Sequence, residues 1–269
     1  MDKVFKAYCV GHTLPLFTPG IPYEMLCPAS LGIPNEVVID DARFGSTVDG
    51  GSLAEYSQLF GLAPKIHAGD VVADRLFLFQ YRKFISTTQG GAESVWPWIR
   101  VLDSNNATPV FPSLDQLRAF TGRLAVGSIF DFGESIAANY SRVHVGDDFS
   151  LFIAACAQSD FLSKENIKSF VTLRGIIPSP AVCYVDVDLF LRVIEILEDV
   201  WRIYTENYAI PRQGYQRRVS GYLLERLHSF LLCKWLMDGS EPDIQVWQRY
   251  VVTCPGILGP FETRERLPG

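Results

Sequence analysis

The pattern of apolar positions predicts three β-strands in the first part of the chain. Residues 4–10 and 36–39 are rich in apolar side chains, and residues 76–79 are apolar without alternation. A short apolar run without alternation is typical of a strand that is buried on both faces. Residues 52–55 fit a capping box and predict a helix that runs from there toward residue 66. Strands that alternate with a helix predict an α/β fold with a mainly parallel sheet.

The rest of the chain is predicted to be mostly helical. The apolar pattern predicts helices at residues 114–120, 147–158, 163–173, 188–208 and 215–237, and a strand at residues 181–187. The length of 269 residues fits one large domain. We expect a single domain over residues 1–255, with an α/β half to about residue 135 and a helical half after it. Residues 256–269, with Gly, Pro and charged side chains, are predicted to be a mobile tail.

Composition excludes several classes of function. The formal net charge of -6 disfavours a protein that binds nucleic acid through bulk positive charge. No window is long and apolar enough for a membrane-spanning helix, and the first residues have no signal-peptide pattern. The six cysteines are scattered without a C-x-x-C pair, which argues against a zinc site or a disulfide framework and favours a reducing cytosol. Sequence motifs of kinases, dinucleotide-binding enzymes and serine hydrolases are absent.

Polar side chains follow each of the three predicted strands. His12 follows the first, Asp40 and Asp41 follow the second, and residues 80–83 (Gln-Tyr-Arg-Lys) follow the third. In an open parallel sheet, ligands bind outside the carboxyl ends of the strands. Arg82 could therefore contact an anionic ligand through its guanidinium fork. The alternative is a solvated strand end with an ion pair to a nearby acid, and the two interpretations are evenly matched.

The predicted helix at residues 215–237 carries two stripes. Arg226 falls inside an apolar stripe, whereas Glu225 shares a polar stripe with Arg218 and Gly221. One interpretation makes Glu225 a general base in a cleft, with room beside it because of Gly221. The other makes Glu225 and Arg226 members of a structural ion-pair network, because an unpaired buried charge is costly. Composition alone favours the second interpretation.

Two further patterns have both a functional and an ordinary explanation. Tyr140, His144 and Asp148 are spaced four residues apart, so they could face a cleft from one side of a helix. The ordinary explanation is the first turn of a helix with normal capping. Asp186 and Asp188 match the D-x-D pattern that binds a metal-nucleotide, but Asp188 is also well placed as a helix N-cap, which we favour. The four histidines show no spacing typical of metal ligands.

The order of these motifs resembles the bacterial family catalogued as domain of unknown function 4422. Its members are predicted glycosyltransferases of capsule and surface-polysaccharide gene clusters. Five segments match the family pattern in order. Gly11 to Pro15 match its "THKPY" turn, Asp40-Asp41 with "AEYSQLFG" match its acid-Gly segment and "CELTALYW" helix, and "FQYRKF" matches its "CHYRRYF" strand end. Tyr140, His144 and Asp148 match its "Y…H…DL" segment, and "RVSGYLLERLHSFLL" matches its "RVFGFLAERLLNVWL" helix. The resemblance spans residues 4–236.

The resemblance implies a GT-A-like fold, that is, a nucleotide-sugar-binding α/β fold with a helical C-terminal part. It also implies an inverting glycosyltransferase of the hexosyltransferase type. In that fold a metal-binding D-x-D follows a buried strand, and here residues 80–82 hold that position. A cationic side chain would then replace the metal, so we expect no cofactor, and a divalent metal such as manganese is the less favoured option. The roles implied are Glu225 as catalytic base, His12, Asp41, Gln80, Tyr81, Arg82, Arg218 and Arg226 as donor-binding residues, and Tyr140 and His144 as acceptor-binding residues.

The implied partners are a nucleotide-diphosphate sugar, with a UDP-sugar favoured, and a glycan or lipid-linked glycan acceptor. We expect a cytoplasmic location, with peripheral association at the inner face of the membrane. Two departures from the family pattern stand out. Gln80 replaces a histidine, and residues 177–184 replace a stretch that contains an asparagine. These departures keep open the alternative of a non-catalytic sugar- or nucleotide-binding member of a polysaccharide assembly complex, or of a purely structural partner in it.

Overall fold

A computed structural model of the chain describes residues 3–39, 53–239 and 243–254. The strands are β1 (Phe5–Val10), β2 (Glu24–Cys27), β3 (Glu36–Val38), β4 (Arg75–Gln80), β5 (Lys83–Ser86), β6 (Ala92–Glu93), β7 (Arg100–Asp103), β8 (Leu124–Gly127), β9 (Phe130–Asp131), β10 (Gly175–Ile176), β11 (Cys183–Asp186) and β12 (Ile244–Thr253). The helices are α1 (Tyr56–His67), α2 (Ser104–Ala107), α3 (Leu114–Ala119), α4 (Ile136–Val143), α5 (Gly146–Cys156), α6 (Lys164–Thr172), α7 (Val187–Asn207) and α8 (Val219–Asp238).

The large sheet is mixed, which corrects the prediction of a mainly parallel sheet. Its strands lie in the order β3-β2-β1-β4-β11-β8-β12-β7-β6, and β5 pairs with both β4 and β12. The first four strands of that order are parallel, but β11 runs antiparallel to both of its neighbours. The chain also turns back directly after β4, so β5 is antiparallel to it. A two-residue reversal of this kind produces antiparallel pairing, whereas parallel pairing needs a long crossover.

Strand β4 lies inside the sheet and is buried on both faces, as its sequence pattern predicts. Leu76 and Leu78 pack into the hydrophobic core on one face, and Phe77 and Phe79 pack into the core on the other. Alternate side chains of a strand point to opposite faces, so a strand with a core on each side needs an unbroken apolar run. The first core also contains the buried sides of α1, α5, α7 and α8.

The predicted helices are present, with differences at two starts. Helix α8 begins at Val219 rather than at residue 215, and residues 214–218 form a 3-10 helix before it. Helix α1 begins at Tyr56 rather than near residue 52, and Glu55 is its N-cap residue. Ala54 has a left-handed backbone (φ 50°), which a right-handed helix cannot include. Ser52, the first residue of the predicted capping box, lies outside the described residues. Within the described ranges, no helix combines the length and the apolar character needed to cross a bilayer.

Candidate functional site

Polar side chains meet at the carboxyl ends of β1 and β4. The two strands are parallel, with Val10 opposite Gln80, so the residues after them are neighbours. The rings of His12 and Tyr81 are 6.4 Å apart, and the Arg82 guanidinium lies 5.4 Å from the centre of the Tyr81 ring. His12, Gln80, Tyr81 and Arg82 therefore lie at the same end of the sheet. Asp40 and Asp41 lie outside the described residues.

Residues 81 and 82 form the tight turn between β4 and β5. The carbonyl of Tyr81 accepts a hydrogen bond from the Leu16 N–H (2.8 Å), and the carbonyl of Arg82 accepts one from the Val252 N–H (2.7 Å). The turn is therefore fixed to the segment after β1 and to β12. Just before it, the Gln80 side chain donates to Glu55 Oε1 over 3.1 Å, so the Glu55 carboxylate binds a strand end instead of capping α1.

Glu225 and Lys83 are joined through Ser179. The backbone N–H of Ser179 donates to Glu225 Oε1 (2.8 Å), and Lys83 Nζ donates to the Ser179 hydroxyl (2.8 Å). Glu225 and Lys83 are both partly exposed. Burial lowers the pKa of Lys83, and the negative charges of Glu55 and Glu225 oppose that shift. The arrangement places a solvent-accessible carboxylate beside a cation, as proton transfer next to a developing anion requires.

Ser179 is a member of this site that the sequence did not indicate. It lies between two prolines and has a left-handed backbone (φ 48°), a conformation that costs a serine about 1–3 kcal/mol. The preceding Ile177 is held by its N–H, which donates to the Ser229 hydroxyl over 2.6 Å. The strained turn therefore aims the Ser179 N–H at Glu225. It lies in the stretch, residues 177–184, that departs from the family pattern.

Gly221 does not leave an open space beside Glu225, which corrects the prediction. A Cβ atom at Gly221 would lie 3.1 Å from the Ala54 Cβ and 3.3 Å from the Leu53 backbone. The glycine is needed because α8 packs directly against residues 53–54. This close approach brings Glu55, the next residue, to the polar cluster.

Arg249, on β12, is a second member that the sequence did not indicate. Its side chain is 1% exposed. Burial lowers its pKa to about 10, and the nearby Glu225 carboxylate opposes the shift. Lys83 and Arg249 also repel each other electrostatically, which places both cations around Glu225.

Arg226 is buried, as its position on the apolar stripe predicts, but it has no acidic partner among the described residues. Its Nη1 donates to the Tyr222 carbonyl (3.0 Å), and its guanidinium lies 5.0 Å from the centre of the Tyr140 ring. The Glu225 carboxylate instead accepts from Ser179. Within the described residues neither Glu225 nor Arg226 forms an ion pair, so the prediction that they belong to a structural ion-pair network is wrong, although their opposite charges still attract.

Tyr140, His144 and Asp148 do not share one helix, contrary to the first interpretation of their spacing. Tyr140 lies in α4, His144 ends that helix, and Asp148 is in the first turn of α5. Tyr140 is fully buried beneath Arg226, so it supports the site rather than reaching a ligand. Asp148 is fully buried, and its carboxylate oxygens accept hydrogen bonds from Arg212 at 2.8–3.2 Å.

His144 belongs to an aromatic stack at the start of α8. Its ring lies 4.3 Å from that of Tyr222 and 6.1 Å, nearly parallel, from that of the exposed Tyr215. Burial lowers the pKa of His144 to about 4, and the positive charge of Arg226 adds to this effect. His144 is therefore neutral at pH 7. Arg218, also predicted to bind the donor, is exposed and lies 6.0 Å from the centre of the Tyr222 ring.

The D-x-D pattern lies at the other end of the strands, away from the polar residues that follow β4. Asp186 is paired with Arg75, the first residue of β4, and not with the Gln80 end, which is about 17 Å further along the strand. Its carboxylate accepts from Arg75 Nε (3.0 Å), and Asp188 pairs with Arg123. Asp186 is the N-cap residue of α7, so the prediction that Asp188 is the cap is wrong. In the described part of the chain, no group of three or more Asp, Glu, His or Cys side chains is arranged to hold a metal.

Comparison with known proteins identifies the fold. No family model matches the chain, and no curated protein does. The structure is similar to the apo structure of WbbM, a bifunctional glycosyltransferase, with a TM-score of 0.74 over 96% of this chain. The sequence identity is 18%, and the match covers 47% of WbbM, so the chain spans about half the length of that protein. The fold is therefore the mixed α/β fold found in that glycosyltransferase structure.

Proposed function

We propose that this chain is a glycosyltransferase that moves a sugar from a nucleotide-diphosphate donor to a surface-polysaccharide acceptor. One observation carries the proposal: Glu225 is a partly exposed carboxylate near Lys83 and Arg249, beside the carboxyl end of an interior strand. Ligands of open α/β sheets bind outside the carboxyl ends of the strands. The shared fold with WbbM and the ordered motifs of the 4422 family support the same assignment, which includes a GT-A-like fold.

In the proposed inverting reaction, Glu225 accepts the proton of an acceptor hydroxyl. The hydroxyl oxygen then forms a bond to the anomeric carbon of the donor sugar, and the bond between that carbon and the diphosphate oxygen breaks. Negative charge grows on the departing nucleotide diphosphate, where cations fixed by the protein stabilise it. One Glu225 oxygen is held by Ser179, and the other accepts no hydrogen bond from the described residues. That second oxygen is the one available for the proton.

The donor would lie across the ends of β1 and β4. His12, Gln80 and Tyr81 would line the nucleotide pocket together with Asp41, and Arg82 would contact the diphosphate. Arg218 and Arg226 would add positive charge, Arg226 from beneath the surface. His144, supported by Tyr140, would lie on the acceptor side. A UDP-sugar donor and a glycan or lipid-linked acceptor at the cytoplasmic face of the membrane complete the proposal.

We also propose that donor binding needs no divalent metal. The turn that would hold a metal-binding D-x-D carries Arg82 instead, and Asp186 and Asp188 are occupied by Arg75 and Arg123 far from it. A fixed cation and a divalent metal stabilise the same leaving-group charge. The positive side chains around Glu225 can therefore supply what a metal supplies elsewhere.

A thermal-shift screen against nucleotide sugars, with EDTA and with manganese, tests this function. A ligand that binds only the folded state raises the melting temperature. At a concentration a hundred times its dissociation constant, it adds about 2.7 kcal/mol to the free energy of unfolding. We expect at least one nucleotide-diphosphate sugar to stabilise the protein equally in both conditions, and the protein to hydrolyse that donor slowly without acceptor. Stabilisation that appears only with manganese would refute the metal-free site. Binding without hydrolysis or transfer would identify a non-catalytic sugar-nucleotide module.

A further inference from the structure

Arg249 is a buried cation without a hydrogen-bond partner. None of its three guanidinium nitrogens, Nε, Nη1 and Nη2, has an acceptor among the described residues. A buried guanidinium without acceptors loses its hydration and gains little in return, which is among the most unfavourable arrangements in a protein interior. Buried polar groups without partners are rare, so each one needs an explanation. An anionic ligand would provide one for Arg249.

Two further features beside Arg249 fit a ligand that accepts hydrogen bonds. A Cβ atom at Gly127, the last residue of β8, would overlap Nη2, so the guanidinium fits there only because that residue is a glycine. The Trp98 ring centre lies 6.0 Å from the guanidinium carbon. The indole N–H of Trp98 is itself buried without an acceptor. A ligand that accepts several hydrogen bonds and donates none would satisfy both side chains.

The charges near Arg249 define where such a ligand would lie. Glu225 is close enough to oppose the shift in the pKa of Arg249, and Lys83 interacts electrostatically with Arg82 and Arg249 together. Lys83 and Glu225 are partly exposed, whereas Arg249 is buried. An anion bound by Arg249 would therefore be near both Lys83 and Glu225.

We propose that Arg249 binds a phosphate oxygen of the donor diphosphate, with the Trp98 indole N–H as a second donor. The inference rests on the proposed function, since it assigns a ligand group within the same site. Arginine binds phosphate oxygens through a planar fork of N–H groups, and such charge-assisted hydrogen bonds are stronger than neutral ones. In an inverting displacement the base and the leaving group lie on opposite sides of the sugar, so the sugar would lie between the Glu225 carboxylate and a diphosphate bound at Arg249. Inorganic pyrophosphate has the same acceptor chemistry and serves as a probe.

The test is isothermal titration calorimetry of the full chain in EDTA with UDP and, separately, with pyrophosphate. Arg249→Met removes the charge and keeps most of the volume. We expect it to weaken both ligands by about ten- to a hundredfold, the usual effect of one or two charge-assisted hydrogen bonds. Its melting temperature should not fall, because an unpaired buried charge is replaced by an apolar side chain. The matched control is Arg192→Met, which removes another arginine that packs on a tryptophan, Trp235 (4.7 Å), and should bind as wild type.

The outcomes separate the inference from the proposed function. If Arg249→Met binds UDP and pyrophosphate as tightly as the wild type, the inference is overturned. The proposed function would still stand if the wild type transfers sugar. Loss of pyrophosphate binding in Arg249→Met, when no nucleotide sugar binds the wild type, supports the anion site and refutes the glycosyltransferase. Absence of all anion binding refutes both. If Arg249→Met fails to fold, Arg249→Lys decides: it keeps the charge without the fork, and unchanged affinity in that variant overturns the inference.

Discussion

Glu225 and Arg226 are neighbours in sequence and lie in different surroundings. Successive residues of a helix point about 100° apart, so Glu225 reaches the polar cluster while Arg226 turns into the core. The sequence indicates this difference through the apolar stripe. It does not indicate that Arg226 donates to the Tyr222 carbonyl and lies against the Tyr140 ring, because the ring contact depends on how α4 packs against α8.

Replacing Arg226 tests whether its charge or its packing stabilises the folded protein. Arg226→Met loses the contacts of the guanidinium, worth about 0.5–3 kcal/mol, and also relieves the cost of burying a charge. We expect its free energy of unfolding, measured with urea, to change by less than about 2 kcal/mol. Arg226→Ala should cost more because it leaves a cavity beside Tyr140. A loss as large in the methionine variant as in the alanine variant would show that the charge itself is structural.

His228 predicts how stability depends on pH. It is buried beside Tyr56, and burial lowers its pKa to about 3 from an ordinary value near 6.5. The unfolded chain therefore binds a proton between these pH values and the folded protein does not, so stability falls as pH falls through that window. For one histidine the loss between pH 7 and pH 5 is about 2 kcal/mol.

His228→Gln should reduce the difference in unfolding free energy between pH 7 and pH 5 by about that amount, whatever its effect at pH 7. Urea titrations of both proteins at both pH values provide the measurement. An unchanged difference would mean that His228 titrates equally in the folded and unfolded protein.

At the level of elements, the contact between α8 and the segment before α1 determines the position of Glu55. Gly221→Ala gains helix propensity, worth about 1 kcal/mol, but its methyl group would press on residues 53–54. We expect a melting temperature close to wild type and a clear loss of transfer activity, because a small displacement of a polar cluster lowers its efficiency. Activity equal to wild type would show that the position of Glu55 does not matter.

Elements with a strong local pattern could be predicted, and those defined by distant pairing could not. Strand β4 and helix α8 are recognisable because their burial follows from an apolar run or a periodic stripe. Strands β2 and β12 were not predicted, and β12 pairs with β5, β7 and β8, all more than a hundred residues earlier in the chain. Arg249 was missed for that reason. Ser179 was missed because its role depends on a left-handed backbone that a serine rarely adopts.

At the level of the whole molecule, the site is assembled from distant parts of the chain. Glu55, Lys83, Ser179, Glu225 and Arg249 come from five separate segments that the mixed sheet and α8 bring together. The chain corresponds to about half of WbbM, and one fold can carry many functions. The functional argument therefore depends on this cluster, and above all on the carboxylate of Glu225.

The most direct test compares Glu225→Gln with wild type, once a donor has been identified, by measuring donor affinity and transfer rate in the same preparation. Glutamine keeps the shape of the side chain and an oxygen that can accept from the Ser179 N–H, but it cannot take a proton. We predict that the melting temperature and the donor affinity stay close to wild type while the transfer rate falls about a hundredfold or more. A transfer rate close to wild type would contradict the account, and Glu55, the other carboxylate of the cluster, would become the candidate base.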